Sequence, residues 1–329
     1  MAVTVSLEEV KLFQEKIEKI KAEISKIVVG QEKTINSLLR GLLCDGHILL
    51  EGVPGVAKTL LIKTFAAITG CSTSRIQFTA DLLPADITGI TAYNEKTQEF
   101  YNVKGPVFAN FIMADEINRA TPKLQSALLE AMQEKQVTIG KETFKLPIPF
   151  FVMATYNPLE SEGVYTLPEA QVDRFLFKIL IGFPTFEDER QIFKKNITIH
   201  KFEEFGIKPI LNANEILKLQ KFVKTIYCNE KVEDYILHLV EATRNPNKYK
   251  LNFGRFIESG CSPRASIALY IASKAEALMN GETFVTPQHV KNIAHDSLRH
   301  RLLLNYEGQA ENINPDDIVT ELLAKIPIP

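Results

Sequence analysis

The sequence lacks any apolar run approaching the roughly 18 residues that a bilayer crossing requires. Its first residues, MAVTVSLEEVKLFQEKIEKIKAEI, show neither the basic start, the apolar block nor the cleavage site of an export signal, and read instead as an amphipathic helix. Cysteine is scarce: Cys44, Cys71, Cys228 and Cys261 are scattered and form no C-x-x-C pair. That argues against disulfide or zinc chemistry and for small buried hydrophobes in a reducing, cytoplasmic compartment. His47, His238, His289, His295 and His300 show no metal-ligand spacing. Neither sign of charge dominates. A net charge of −2 without a basic stripe argues against a nucleic-acid partner. No internal repeat and no low-complexity segment interrupts the chain. What is present is 45% hydrophobic and 24% charged over 329 residues, the balance of a folded protein long enough for two ordinary domains.

Short apolar runs alternate with helical patterns over the first 185 residues or so. The runs are HILLE (47–51), RIQFT (75–79), NFIMA (110–114), FFVMAT (150–155) and FLFKILI (175–181). Most lack strict alternation, as strands covered on both faces of a parallel sheet do. Helices are predicted between them over 59–69 and 122–134, the second with Thr121 as its cap and Pro122 in its first turn. The fold class is therefore α/β. Two segments, 89–103 and 136–146, alternate around turn residues and predict β-hairpins, either insertions projecting from the sheet or ordinary edge hairpins. After Pro184 the pattern turns helical, over 187–197, 214–227, 232–244, 263–279 and 287–304. This predicts a core over 1–185 and a helical domain over 186–329.

The segment EGVPGVAKTLL (51–61) nearly reads G-x-x-x-x-G-K-[ST] over 52–59, but Ala57 stands where the pattern has its second glycine. Such a loop needs a strand before it and a helix after it, and both are predicted here. Backbone N–H groups and the helix N-terminus then face phosphate. Lys58 would reach the β- and γ-phosphates, and the Thr59 hydroxyl would hold Mg²⁺. A methyl at 57 is excluded only by positive φ or backbone crowding. The bland alternative is a glycine-containing turn with an incidental lysine.

FIMADE (111–116) is an apolar strand ending in two carboxylates. Asp115 is placed to bind Mg²⁺, directly or through water, and Glu116 to orient and deprotonate an attacking water. A solvated acidic strand end is the plain alternative. Asn157, after FFVMAT, offers an amide to a γ-phosphate or a water; as a residue before Pro158 it also suits a turn. Arg174 precedes the last apolar run and has Asp173 and Glu169 as local partners. Arg264 follows a predicted cap, Ser262, at a helix start, where a cation opposes the macrodipole unless it faces an anion.

Together, LLEGVPGVAKTLL, ADEINRATPKLQSALLEAMQE, ATYNPLESEGVYTLPEAQVDRFLFKI and SPRAS resemble the MoxR family of AAA+ ATPases over nearly the whole chain. The resemblance implies a P-loop NTPase sheet flanked by helices and a C-terminal all-α lid domain. Alanine at position 57 is common in that family. It implies that Gly52, Val53, Pro54, Gly55, Val56, Ala57, Lys58, Thr59 and Leu60 hold the phosphates of ATP, with Val29 and Gly30 against adenine. Thr59 and Asp115 would hold Mg²⁺, Glu116 would act as base, and Asn157 would be sensor one. Arg174 would be the finger inserted by a neighbouring subunit, with Arg119 a second candidate, and Arg264 sensor two. The hairpins match the helix-two insert and the hairpin before sensor one, shared with magnesium chelatase. A hexameric ring, chaperone-like remodelling of a client, and a von Willebrand factor A-domain partner on a separate chain are further expectations. A nucleic-acid motor and a nucleotide-gated scaffold with little turnover are the alternatives.

Overall fold

The computed structural model describes residues 6–53, 58–158, 164–195 and 202–329. Helix α1 (Leu7–Ser25) starts behind Ser6, whose hydroxyl accepts the Glu9 N–H while the Glu9 carboxylate accepts the Ser6 N–H. This reciprocal cap satisfies two amides that the first turn leaves open. After α2 (Glu32–Leu43) come β1 (Ile48–Gly52), α3 (Lys58–Thr69), β2 (Thr73–Gln77) and α4 (Pro84–Thr88). The hairpin β3 (Gly89–Asn94) and β4 (Glu99–Lys104) follows, then β5 (Phe111–Asp115), α5 (Pro122–Glu134) and the hairpin β6 (Gln136–Ile139) and β7 (Glu142–Lys145). The sheet is completed by β8 (Phe151–Tyr156), α6 (Glu169–Val172) and β9 (Phe177–Ile181). Its order is β2-β5-β8-β1-β9, parallel throughout. Both hairpins form sheets of their own, so they project from the main sheet rather than extend its edge.

Alternate strand residues face opposite layers, as the two-residue period requires. Ile48, Leu50, Phe111, Met113, Phe151, Met153, Phe177 and Ile179 join the apolar cluster that also holds α1, α2 and α3. Leu49, Ile112, Ala114, Val152 and Ala154 join the cluster beneath α5. The later elements are α7 (Phe186–Lys195), α8 (Ala213–Thr225), α9 (Glu230–Arg244), β10 (Ile257–Ser259), α10 (Pro263–Met279), α11 (Pro287–Leu298), β11 (Leu303–Leu304), α12 (Tyr306–Ala310) and α13 (Pro315–Lys325). Their core is continuous with the first cluster. A buried pair, Arg40 to Glu276 at 2.5 Å, ties α2 to α10. No helix among the described residues is long and apolar enough to cross a membrane.

Two local expectations are corrected. Thr121 stands at the start of α5, but its side chain accepts no capping hydrogen bond. The helix predicted over 287–304 stops at Leu298. The Arg301 side chain, 3% exposed, donates to the Asp173 carboxylate at 2.8 Å and to the Phe175 carbonyl at 2.7 Å. Leu303 and Leu304 pair with β10 instead of continuing the turn. Tertiary partners override the helical period here.

His47 is buried between Met132 and Val152. The Val152 N–H donates to its Nδ1 at 3.0 Å, so Nε2 carries the proton toward the Met132 carbonyl at 3.1 Å. Burial pushes its pKa down to about 4, and burial likewise holds His300 well below the ordinary histidine value. Unfolding frees both imidazoles to take protons near pH 6.5. Between pH 6.5 and 4 the unfolded chain therefore binds more protons, and stability falls as pH drops through that window. Urea unfolding should lose about 1.4 kcal/mol per pH unit for each imidazole at the steepest point. The slope should flatten by one imidazole's share in His47→Gln; an unchanged slope would contradict the assignment. Arg301→Met should lose about 3–5 kcal/mol in the same assay, because it leaves a largely buried Asp173 carboxylate without its closest cation.

Candidate functional site

Parallel pairing of β1 with β8 and of β8 with β5 brings three strand ends to one edge. There Gly52, Asp115 and Asn157 lead into their loops. A Cβ on Gly52 would lie 2.4 Å from the Ile181 carbonyl, so close approach of β9 demands glycine at this position. Pro54, Gly55, Val56 and Ala57 lie outside the described residues. Lys58 opens the 12-residue α3 and donates from Nζ to the Gly52 carbonyl at 2.5 Å. Thr59 is half-buried in the same first turn, and Val53 and Leu60 pack against the apolar cluster. The unsatisfied amides of that turn and the Lys58 ammonium suit an anion.

Asp115 is fixed from two sides. Its Oδ1 accepts the Thr155 hydroxyl at 2.7 Å and its Oδ2 accepts Arg75 Nη2 at 2.7 Å. The same Thr155 oxygen accepts the Glu116 N–H at 2.8 Å, so one hydroxyl sets both acids. Glu116 sits at φ 57°, ψ 51°, the left-handed region that costs a non-glycine residue roughly 1 kcal/mol or more. Its Oε2 accepts Gln77 Nε2 at 2.8 Å and pairs with Arg119 Nε at 3.2 Å. Asn157 is buried, and its carbonyl accepts Asn118 Nδ2 at 3.3 Å. Val29 is buried and Gly30 has φ 67°; the Asp188 carboxylate of α7 lies 2.7 Å from where a Gly30 Cβ would stand. Because α7 follows the finishing end of β9, this places Gly30 toward the same edge.

Arg174 and Arg264 lie elsewhere. Ile48 pairs with Phe177 and Gly52 with Ile181, so Arg174, just before β9, sits at the starting end of the strands. Five strand residues at about 3.3 Å each put roughly 16 Å between that end and Lys58. Arg264 accompanies Arg174 there. Its Nη1 lies 3.4 Å from Asp173 Oδ2, the oxygen that also accepts the Ser262 hydroxyl at 2.9 Å, and its side chain is 48% exposed. Ser262 caps α10 by accepting the Arg264 N–H. Arg174 does not pair with Asp173; its buried Nε has no hydrogen-bond partner. A cleft of about 510 Å³ opens here, lined in part by Asp45, Lys135, Asp173, Arg174, Arg264 and Arg301. Lys58, Thr59, Asp115, Glu116 and Asn157 thus gather at one edge, and the two arginines share the other.

Sequence reasoning missed Arg75, Gln77 and Thr155. Arg75 and Gln77 occupy alternate positions of an exposed edge strand, and Thr155 is a hydroxyl at the end of an apolar one. Those were the available signals.

Residues 47–177 match the ATPase family associated with various cellular activities (AAA), and residues 253–322 match the AAA lid domain. Chaperone MoxR1 of Mycobacterium tuberculosis is 47% identical over 93% of this chain and 81% of its own length. YeaC of Bacillus subtilis is 42% identical over 93% of this chain and 92% of its own. A crystal structure from Cytophaga hutchinsonii superposes with a TM-score of 0.91 at 44% identity, covering 98% of this chain and 97% of that one. With the parallel sheet and these matches in hand, the chain belongs to the MoxR family of AAA+ ATPases.

Proposed function

We propose that the chain hydrolyses ATP with Mg²⁺ at an interface between copies of itself, and uses the cycle to remodel a partner protein. The observation that carries this reading is the separation of Lys58, Asp115 and Glu116 from Arg174 and Arg264 by the full length of the sheet. Lys58 and Arg119 stand at that edge in the same chain, but Arg174 or Arg264 could meet the γ-phosphate there only from another copy. In this reading both arginines act across the interface, in a closed ring such as a hexamer. The division into a nucleotide-binding core over 1–185 and a lid over 186–329 belongs to the same proposal.

The donor set fits the nucleotide. Thr59 and Asp115 offer hard oxygens, and the start of α3 with Lys58 offers positive charge. Among the described residues no three His, Cys, Asp or Glu side chains gather as a metal cage. A magnesium ion would therefore complete its shell with phosphate oxygens and water, as it does at phosphoryl-transfer sites, and would supply charge neutralisation there. Glu116, whose carboxylate is held by Gln77 and Arg119, takes the proton of the attacking water. Asn157 orients the water or the γ-phosphate with its amide. Arg174 stabilises charge on the transferred group. Chaperone-like action is supported by the likeness to Chaperone MoxR1 of Mycobacterium tuberculosis. A client, or a von Willebrand factor A-domain partner, would meet the hairpins β3–β4 and β6–β7, which stand clear of the sheet.

Glu116→Gln should keep ATP affinity within about twofold and lose turnover by about 10² or more, measured by equilibrium binding and phosphate release; retained turnover would remove Glu116 from the role of base. Arg174→Ala and Lys58→Ala should each be inactive alone. Mixed in equal amounts, they should recover activity at the roughly one interface in four that joins an intact Lys58 to an intact Arg174. A confirmed mixed assembly without recovery would rule out action in trans.

A further inference from the structure

Helix α7 buries none of its residues. Phe186 and Phe193 are 72% and 79% exposed, and Phe183 just before the helix is 77% exposed. Phe186, Arg190 and Phe193 fall at i, i+4 and i+7, one face of the helix. Arg190 covers the Phe186 ring at 5.2 Å. An aromatic stripe this open marks a surface built to be covered.

The complementary surface lies on the same molecule, at the arginine end. Between α9 and α10 runs a groove of about 290 Å³ lined by Glu233, Ile236, Leu237, Ser266, Ile267 and Tyr270. Leu237 and Ile267 are 55% and 65% exposed. Ile267 also lines the arginine cleft, so cleft and groove form one continuous surface. The stripe sits at the finishing end of β9, beside Gly30. The groove sits next to Arg264, beyond the starting end. One copy cannot bring them together, but head-to-tail copies can. Charge agrees with that pairing. The first turn of α7 carries Glu187 and Glu189, opposite a surface holding Arg174 and Arg264. Arg190, which pairs with Glu187 of its own helix at 3.5 Å, lies in the stripe, and Glu233 lies at the rim of the groove.

We infer that Phe186 and Phe193 of one copy dock into the α9–α10 groove of the next copy, and that this contact sets the arginines against the neighbour's phosphate edge. The inference rests on the interface reading above and names the surface that makes it. Heterologous contacts of this kind close into rings when the rotation permits.

The test places p-benzoylphenylalanine at position 193 of the full chain, mixes it with an isotope-heavy unmodified chain and Mg-ATP, and irradiates. Crosslinked peptides should join position 193 to residues 236–237 or 266–270 of the heavy chain. Crosslinks confined to the light chain, crosslinks elsewhere on the heavy chain, or none at all would overturn the inference. Phe193→Ser and Leu237→Ser change exposed side chains and should each weaken assembly by sedimentation about 10- to 100-fold; assembly unchanged in both would also overturn it. Hydrolysis in the same unmodified samples separates the two readings. Specific activity that climbs with protein concentration while the crosslinks fall elsewhere sinks only the docking surface. Full specific activity at dilutions where sedimentation shows only single chains sinks the shared site itself.

Discussion

A parallel strand has two distinct ends, and the candidate site residues of this protein are divided between them. The register that aligns Gly52 with Ile181 and Ile48 with Phe177 fixes both ends at once. Loops leaving the finishing ends carry the lysine, the two acids and the buried amide. Loops arriving at the starting ends carry Arg174, and the cap of α10 brings Arg264 beside it. No side-chain rotation spans the length of a strand; an arginine reaches about 7 Å at full extension. Under the proposed function, the sheet that gathers Lys58, Asp115 and Glu116 at one edge keeps the Arg174 and Arg264 of the same chain away from them.

Asp173 decides how the arginine half behaves. It is largely buried, accepts Arg301 and Ser262, and touches Arg264 at the longer distance of 3.4 Å. The buried Arg301 supplies the durable partner, since a buried pair broken on one side leaves a costly charge. The contact to the half-exposed Arg264 is weak by comparison, as solvent-facing ion pairs usually are. Arg264 can exchange it for a stronger anion at little cost. Arg174 lines the same cleft, and its buried Nε has no hydrogen-bond partner. Ser262 links Asp173 to the start of α10, so both arginines ride on one rigid joint between β9 and the helical half.

Much of this was legible in the sequence because it depends on local pattern. The five apolar runs became the five strands of the sheet, within two residues at their ends. FIMADE placed Asp115 and Glu116 at a strand end because a strand of known length must finish there. The hairpins followed from alternation around turn residues. What escaped depended on strand order. Arg75 and Gln77 meet the acids only because β2 lies beside β5, and Thr155 only because β8 lies on its other side. Arg264 read as a cation facing an anion, but which edge it faces is set by how α10 packs, not by its neighbours in sequence. Helix α11 stops early for a similar reason: Arg301 bonds to Asp173 and the Phe175 carbonyl, more than a hundred residues away, and only the fold supplies those partners.

Helix α7 lies beside Gly30 and carries the exposed aromatic stripe. On one side its Asp188 carboxylate packs against Gly30, in the segment whose resemblance implies contact with adenine; the carboxylate is held there by the Thr185 hydroxyl at 2.7 Å. On the other side it presents Phe186 and Phe193. This short helix buries no residue of its own; besides Asp188, it is tied down by Lys195, whose Nζ donates to the Ser25 and Lys26 carbonyls at 2.9 and 3.3 Å. If nucleotide favours one position of α7, and that position also suits the neighbour's groove, each ligand raises the affinity for the other by the same factor. The coupling needs no long relay through the core, only one helix touched from both sides. A chain built in this way would assemble more tightly when charged with nucleotide, and the exposed phenylalanines would then be covered in the state that carries out turnover.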